Sequence, residues 1–211
     1  MPFPTTPVLT TFAGADENPL SEGGNWVANV DTDDADLQIL SNQAAGTAAG
    51  AGSMYWTTTY GPDCEVYVLV PTLPVGLDTA VYLRLADMGG ATPDGYQGRM
   101  ITAFGSPHLA IYNRMDNGAF TQLGGNVDLT WVAGDQLGMS AVGSTLVMYQ
   151  NGTALGTSRT DATYSAAGKI GLRATTTTPR LDSFGGGNVV VGRLLDSRVL
   201  GGVLSEGRMV R

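Results

Sequence analysis

The chain has 211 residues, of which 43% are apolar and only 14% charged. That length favours one domain with a real core over two very small ones. Glycine and proline are frequent but stay below the level of low-complexity disorder, so the composition is that of a folded, turn-rich protein. The net charge of −8, with Lys169 as the single lysine, excludes nucleic-acid binding by bulk charge and any polybasic lipid patch. No apolar run approaches the ~18 residues of a membrane-spanning helix, and no membrane partner is expected. Cys64 stands alone, which rules out an intrachain disulfide and a cysteine metal site. The opening Met1-Pro2-Phe3-Pro4 has neither a basic nor an apolar signal region, so no secretory signal is expected.

Short Val-, Thr-, Tyr-, Leu- and Met-rich stretches predict strands at 8–13, 26–30, 37–42, 52–59, 64–73, 79–87 and 96–104. They continue at 108–115, 118–123, 135–142, 145–150, 154–158, 168–174 and 180–185. Between them lie turn signals: Gly23-Gly24, Gly61-Pro62, Gly89-Gly90, Pro93-Asp94-Gly95, Asn117-Gly118, Gly124-Gly125 and Asn151-Gly152. This spacing is that of an all-β sandwich or barrel. The clearest hairpin spans Leu137 to Leu155, where Asn151-Gly152 supplies the pair that a type I′ turn prefers. Ala44 to Gly52 is alanine-rich, but three glycines each cost a helix about 1 kcal/mol, so it reads as a loop. After residue 187 the apolar positions Leu194, Leu195, Val199, Leu200, Val203 and Leu204 recur around Gly201-Gly202. That segment reads as a short helix, an added strand or an extended arm.

One ordered set of features stands out: Gly134-Asp135, then Leu146-Val147-Met148-Tyr149-Gln150-Asn151-Gly152, Asp161 to Tyr164, Gly168 to Leu172, and Asp182-Ser183-Phe184. It resembles the second half of concanavalin A-like, or laminin G-like, jelly-roll domains. Phe12, Ala15-Asp16, Leu20 and Asn25-Trp26 are similar to the start of the same domains. The resemblance implies an all-β, concanavalin A-like jelly-roll β-sandwich of two antiparallel sheets, with extended terminal arms. It places an N-terminal arm at 1–7, the sandwich at 8–187, and a C-terminal arm or added edge strands at 188–211. Trp26 and Phe184 are expected to anchor the core. Lectins, adhesion modules, glycosidases and virion proteins share this sandwich, so the resemblance bears on fold more than on function.

Some enzymes of this superfamily carry an E-x-D-x-x-E strand, and retaining hydrolysis needs two carboxyls about 5–5.5 Å apart. The four glutamates, Glu17, Glu22, Glu65 and Glu206, fit no such pattern, so no catalysis is expected. His108 is the only histidine and reads as a turn-proximal structural residue rather than the base of a triad. The acidic run Asp31, Asp33, Asp34 and Asp36 reads as a solvated loop, with an edge calcium site as the alternative and no other cofactor expected. Tyr96, Tyr112, Asn113 and Asp116 are the candidate glycan-binding residues: rings to stack on a sugar, with an amide and a carboxylate to meet its hydroxyls. The competing reading puts most of these rings in the core.

Three functions follow as expectations. The first is a non-enzymatic bacteriophage virion protein, such as a capsid decoration, head-fibre or minor tail protein. It would be assembled in the host cytoplasm, partnered by its own copies and other virion proteins, and able to touch host-surface glycans. The second is an extracellular carbohydrate-binding or adhesion module, and the third a glycoside hydrolase. Phe3, Val190, Leu194, Leu195, Val199, Leu200 and Leu204 are the residues expected to dock the arms on a neighbouring subunit, because an apolar segment beyond the last sandwich strand needs something to cover it. The alternative is that this segment adds edge strands to its own sheet.

Overall fold

The computed structural model describes residues 2–28, 30, 34–47, 50–89, 92–102 and 108–189. The strands are β1 (Val8–Thr10), β2 (Trp26–Ala28), β3 (Leu37–Ile39), β4 (Ala44–Gly46), β5 (Ala51–Trp56) and β6 (Cys64–Thr72). Next come β7 (Asp78–Ala86), β8 (Asp94–Ile101), β9 (His108–Asp116), β10 (Ala119–Gln122), β11 (Val127–Leu129) and β12 (Asp135–Val142). The last are β13 (Thr145–Gln150), β14 (Thr153–Ala154), β15 (Arg159–Thr160), β16 (Lys169–Thr175) and β17 (Arg180–Asn188). One sheet has the order β14-β13-β12-β6-β17-β4-β3, with β1 beside β17 and β15 beside β13. The other runs β10-β9-β8-β7-β16-β5-β2, with β11 beside β9. All these named pairs are antiparallel, so the expected two-sheet sandwich is the fold.

The inner faces meet in one apolar core that includes Trp26, Met54, Val66, Val68, Val81, Leu83, Met139, Met148, Leu172 and Phe184. Trp26 sits at its centre of aromatic contacts, 4.8 Å from Phe184 and 5.3 Å from Trp56 between ring centroids. The turns follow their chemistry. Asn151 and Gly152 both have positive φ, 51° and 78°, as a type I′ turn requires. Asn117 and Gly118 repeat the pattern at 50° and 79° between β9 and β10.

Two expectations change. Ala44–Gly46, read as loop, is β4: its small residues let the strand pass close to the β16 end, where a Cβ on Gly46 would lie 2.5 Å from the Thr176 carbonyl oxygen. The N-terminal arm docks on its own chain. Phe3 stacks on Tyr149 with centroids 3.8 Å apart and rings within 3° of parallel. Buried Glu65 anchors the same arm, its Oε1 accepting from the backbone N–H groups of Thr5 at 2.5 Å and Thr6 at 2.7 Å and from the Thr6 hydroxyl at 2.8 Å. Val190, Leu194, Leu195, Val199, Leu200 and Leu204 lie outside the described residues.

Candidate functional site

Side chains alternate across a strand, so residues in register form rows across a sheet face. In the second sheet Met54, Leu172 and Val81 point into the core. Their sequence neighbours therefore point outward. One outward row reads Tyr55, Gly171, Tyr82, Gln97, Asn113 and Gln122 across β5, β16, β7, β8, β9 and β10. The parallel row beside it reads Ser53, Arg173, Ala80, Arg99 and Ile111. With strands ~4.8 Å apart, the stretch from Tyr82 to Gln122 is about 14 Å long.

This outer face is polar at its floor. Asn113 Nδ2 donates to Gln97 Oε1 at 3.0 Å, and Gln97 Nε2 donates to the Tyr82 hydroxyl at 3.0 Å. Tyr82, Gln97 and Asn113 are all buried although they face away from the core. At one end Val30 packs with Tyr82, Leu85 and Met115, covering that part of the sheet. The adjoining row holds a chain of charges. Asp78 accepts from Arg99 on one oxygen and from Arg173 on the other, and Arg173 Nε donates to Asp34 Oδ2 at 3.1 Å. Gln97, Arg99, Arg173 and the ring of Phe120 enclose a hollow of about 170 Å³. Phe120, on β10, is 49% exposed. An open aromatic wall, an amide floor and two guanidinium groups offer a polyhydroxylated ligand both a stacking surface and hydrogen-bond partners.

The expected glycan-binding residues divide by strand parity. Tyr96 and Tyr112 are fully buried and point inward, so neither ring is open to a ligand. The Tyr96 hydroxyl donates to Asp161 Oδ1 at 2.8 Å and accepts from the Tyr164 N–H at 3.1 Å; burial pushes its pKa up to about 12. The Tyr112 hydroxyl accepts from the Met148 N–H at 2.8 Å. Asp116 accepts from the Tyr164 hydroxyl at 2.9 Å, which that hydroxyl shares with Asp94. Asn113 alone lies on the outer face. The outward-facing polar residues that the sequence reading missed are Gln97 and Arg99, one residue away from the inward positions Tyr96, Gly98 and Met100. The polar-apolar alternation of β8 is the signal that could have found them.

His108 occupies a structural place, its Nδ1 accepting from the Trp131 N–H at 3.0 Å. A larger hollow of about 470 Å³ lies beside Asp16, Glu17 and Glu22. Its carboxylates serve the local fold. Glu22 accepts from Thr10 Oγ1 and from the Trp26 indole N–H at 2.8 Å, and Asp16 accepts from the Ser41 N–H at 2.7 Å. The N–H groups of Glu22 and Ser21 hold Glu17 below the usual carboxylate range.

No protein-family profile matches the chain, and no curated protein matches it in sequence. Solved structures do match. The carbohydrate-binding module CBM66 from Bacillus subtilis is 15% identical with a TM-score of 0.55, over 78% of this chain and 96% of that one. The exoplasmic/lumenal domain of VIP36, solved with Ca2+ and Man2 bound, is 11% identical with a TM-score of 0.61, over 92% and 91%. A β-glucanase of Bacillus licheniformis is 12% identical with a TM-score of 0.54, over 84% and 99%. The chain therefore has the concanavalin A-like jelly-roll sandwich found in both lectins and glucanases.

Calcium accompanies the sugar in the VIP36 structure, but the residues described here do not form such a site. Asp34 gives its carboxylate to Arg173, and a cation there would face a guanidinium. Asp36 carries one buried oxygen without a partner among the described residues. Asp31 and Asp33 lie outside them, and among the described residues no three acidic, histidine or cysteine side chains gather around one point.

Proposed function

We propose that this protein is a non-catalytic carbohydrate-binding module that holds a saccharide on the outer face of the β10-to-β2 sheet. The observation that carries the reading is the hollow between Phe120, Gln97, Arg99 and Arg173, over a floor of buried amides. A sugar ring lays its C–H face on Phe120 while its hydroxyls exchange hydrogen bonds with Gln97 and the guanidinium groups. The lectin and carbohydrate-binding neighbours in fold support the reading. The non-catalytic part has its own support. Asp78, the carboxylate at the centre of the charged row, is engaged by arginines on both oxygens and has none left to protonate a leaving group. A glycan array with the full chain tests the reading, followed by calorimetry on Phe120→Ala. Binding weakened about tenfold or more, roughly 1.4 kcal/mol, with an unchanged melting temperature is expected. An array without a single binder, or full binding by the variant, overturns it.

In the finer form of the proposal the module belongs to a bacteriophage virion and presents this face to host-surface glycans. Its support is the sequence: the apolar segment 189–211 beyond the closing strand, and a single cysteine that can form no disulfide within the chain. Native mass with and without residues 190–211 tests it. An oligomer that collapses on truncation is expected, and a monomer in both cases removes this form while leaving the carbohydrate reading in place.

A further inference from the structure

We propose that the hollow selects an acidic saccharide, one bearing a carboxylate or sulfate, and that Arg99 is the group that receives the anion. This deepens the carbohydrate reading and rests on it. The two arginines are unequally served. Arg173 bonds two carboxylates, Asp34 and Asp78, through separate nitrogens, whereas Arg99 has only a share of Asp78. The Nε of Arg99 is buried and has no acceptor among the described residues, although its side chain remains 30% exposed and lines the hollow.

The Arg99 guanidinium has one acceptor and one countercharge, the Asp78 carboxylate, and shares it with Arg173, while its Nε has no acceptor among the described residues. Burial and the neighbouring Arg173 charge both hold the Arg99 pKa below its ordinary value. A hydroxyl supplies a further acceptor only. A carboxylate or sulfate supplies an acceptor and a second countercharge, and its paired oxygens match the fork of a guanidinium edge. Phe120 on the opposite wall takes the ring that carries the anion, which separates an acidic sugar from a bare ion.

The test is calorimetry on the full chain with matched probes: tetragalacturonate against its full methyl ester, and sulfated and sialylated trisaccharides against their neutral parents. Acetate and inorganic sulfate run alongside. At least one acid is expected to bind ten times or more as tightly as its neutral partner, and free acetate and sulfate far more weakly than the sugar acid. In Arg99→Gln the acid-to-neutral ratio is expected to fall to near one, and Arg99→Lys to restore only part of it. Equal binding of acid and neutral partner overturns the inference and leaves the carbohydrate reading standing. Binding of neither overturns both. Free sulfate or acetate binding as tightly as the sugar acid overturns both by making this an anion site alone. A ratio unchanged in Arg99→Gln removes Arg99 from the role. Should that variant fail to fold, the wild-type acid and ester still decide the matter.

Discussion

The docking of the N-terminal arm on its own sheet makes a quantitative prediction at Phe3. Its ring is 9% exposed and stacked on Tyr149, directly over Gly138, where a Cβ would lie 2.3 Å from the ring. Burying a phenylalanine contributes ~1.5–3 kcal/mol, and the parallel stack adds ~0.5–1.5. The site lies at the surface and water refills it, so Phe3→Ala is expected to cost about 2–3 kcal/mol, below the ~3–5 of a core phenylalanine. Gly138→Ala should cost nearly the same, because the new methyl group expels the ring. In the Phe3→Ala background, however, the methyl meets nothing closer than the Val66 carbonyl oxygen at 3.4 Å, an ordinary contact. There Gly138→Ala should be neutral or slightly stabilising, and the double-mutant cycle should show a coupling of about 2–3 kcal/mol. Guanidinium unfolding of the four proteins measures it, with m unchanged. A tenfold change in protein concentration should move no midpoint. Additive losses, or midpoints that rise with concentration, would refute an arm held within one chain.

Three further outcomes follow from buried groups. Arg84 is 2% exposed and donates to the carbonyls of Pro62 at 2.6 Å, Gly143 at 2.7 Å and Tyr164 at 2.9 Å. Arg84→Met leaves three acceptors unmatched and should destabilise by about 3–5 kcal/mol in a thermal melt, against less than 1 if the loops hold themselves. Burial pushes the Cys64 thiol up to about 11, in spite of nearby Arg84, so iodoacetamide at pH 8 should label it only after unfolding. Asp161 is partly buried, which works against its charge, but the Thr163 N–H, the Tyr96 hydroxyl and Arg114 hold it below the usual carboxylate range. A lowered folded-state pKa contributes stability above the unfolded value of ~3.9 that is lost as pH falls through the folded value. Melting temperature should therefore drop below about pH 4 in the wild type, and Asp161→Asn should be less stable near pH 7 with a shallower acid limb.

The fold was legible because its punctuation is local chemistry. Asn117-Gly118 and Asn151-Gly152 demand left-handed backbone wherever they occur, and the alternation between them sets which strands pair. Ala44–Gly46 escaped notice because three small residues carry neither β-propensity nor a helical pattern; only the close approach of a neighbouring backbone gives the strand its reason. The site was missed by one residue for a related cause. In β9 both parities are apolar or mixed, Leu109, Ile111 and Met115 on one side and Ala110 and Tyr112 on the other, so the sequence alone does not say which side meets the core. Aromatic rings then suggest a binding role for Tyr112 that packing assigns to the interior. Phe3 shows the same limit at longer range. A proline-rich arm reads as one that docks on a neighbouring subunit until Glu65 and Tyr149, 59 or more residues away in the same chain, are seen to receive it.

The two outer faces of the sandwich meet the same problem differently, and the contrast bears on function. On the first sheet Glu65 and Tyr149 are exposed to burial by the arm, and the carboxylate is matched by several donors at once. The arm satisfies that carboxylate, as stability asks, and leaves a hollow of about 160 Å³ beside it. On the second sheet two guanidinium groups line a hollow over a buried amide pair, and the Arg99 Nε and the Ser53 hydroxyl of that outward row are unmatched among the described residues. A sheet that needed only cover would carry threonine or valine there at less cost in desolvation. Partly satisfied polar groups beside an exposed phenylalanine are what a binding surface retains and a structural surface sheds. Arg99→Lys, which keeps a positive charge beside Asp78, should then leave the melting temperature nearly level while weakening saccharide binding. A large loss of stability would instead make the charged row part of the scaffold.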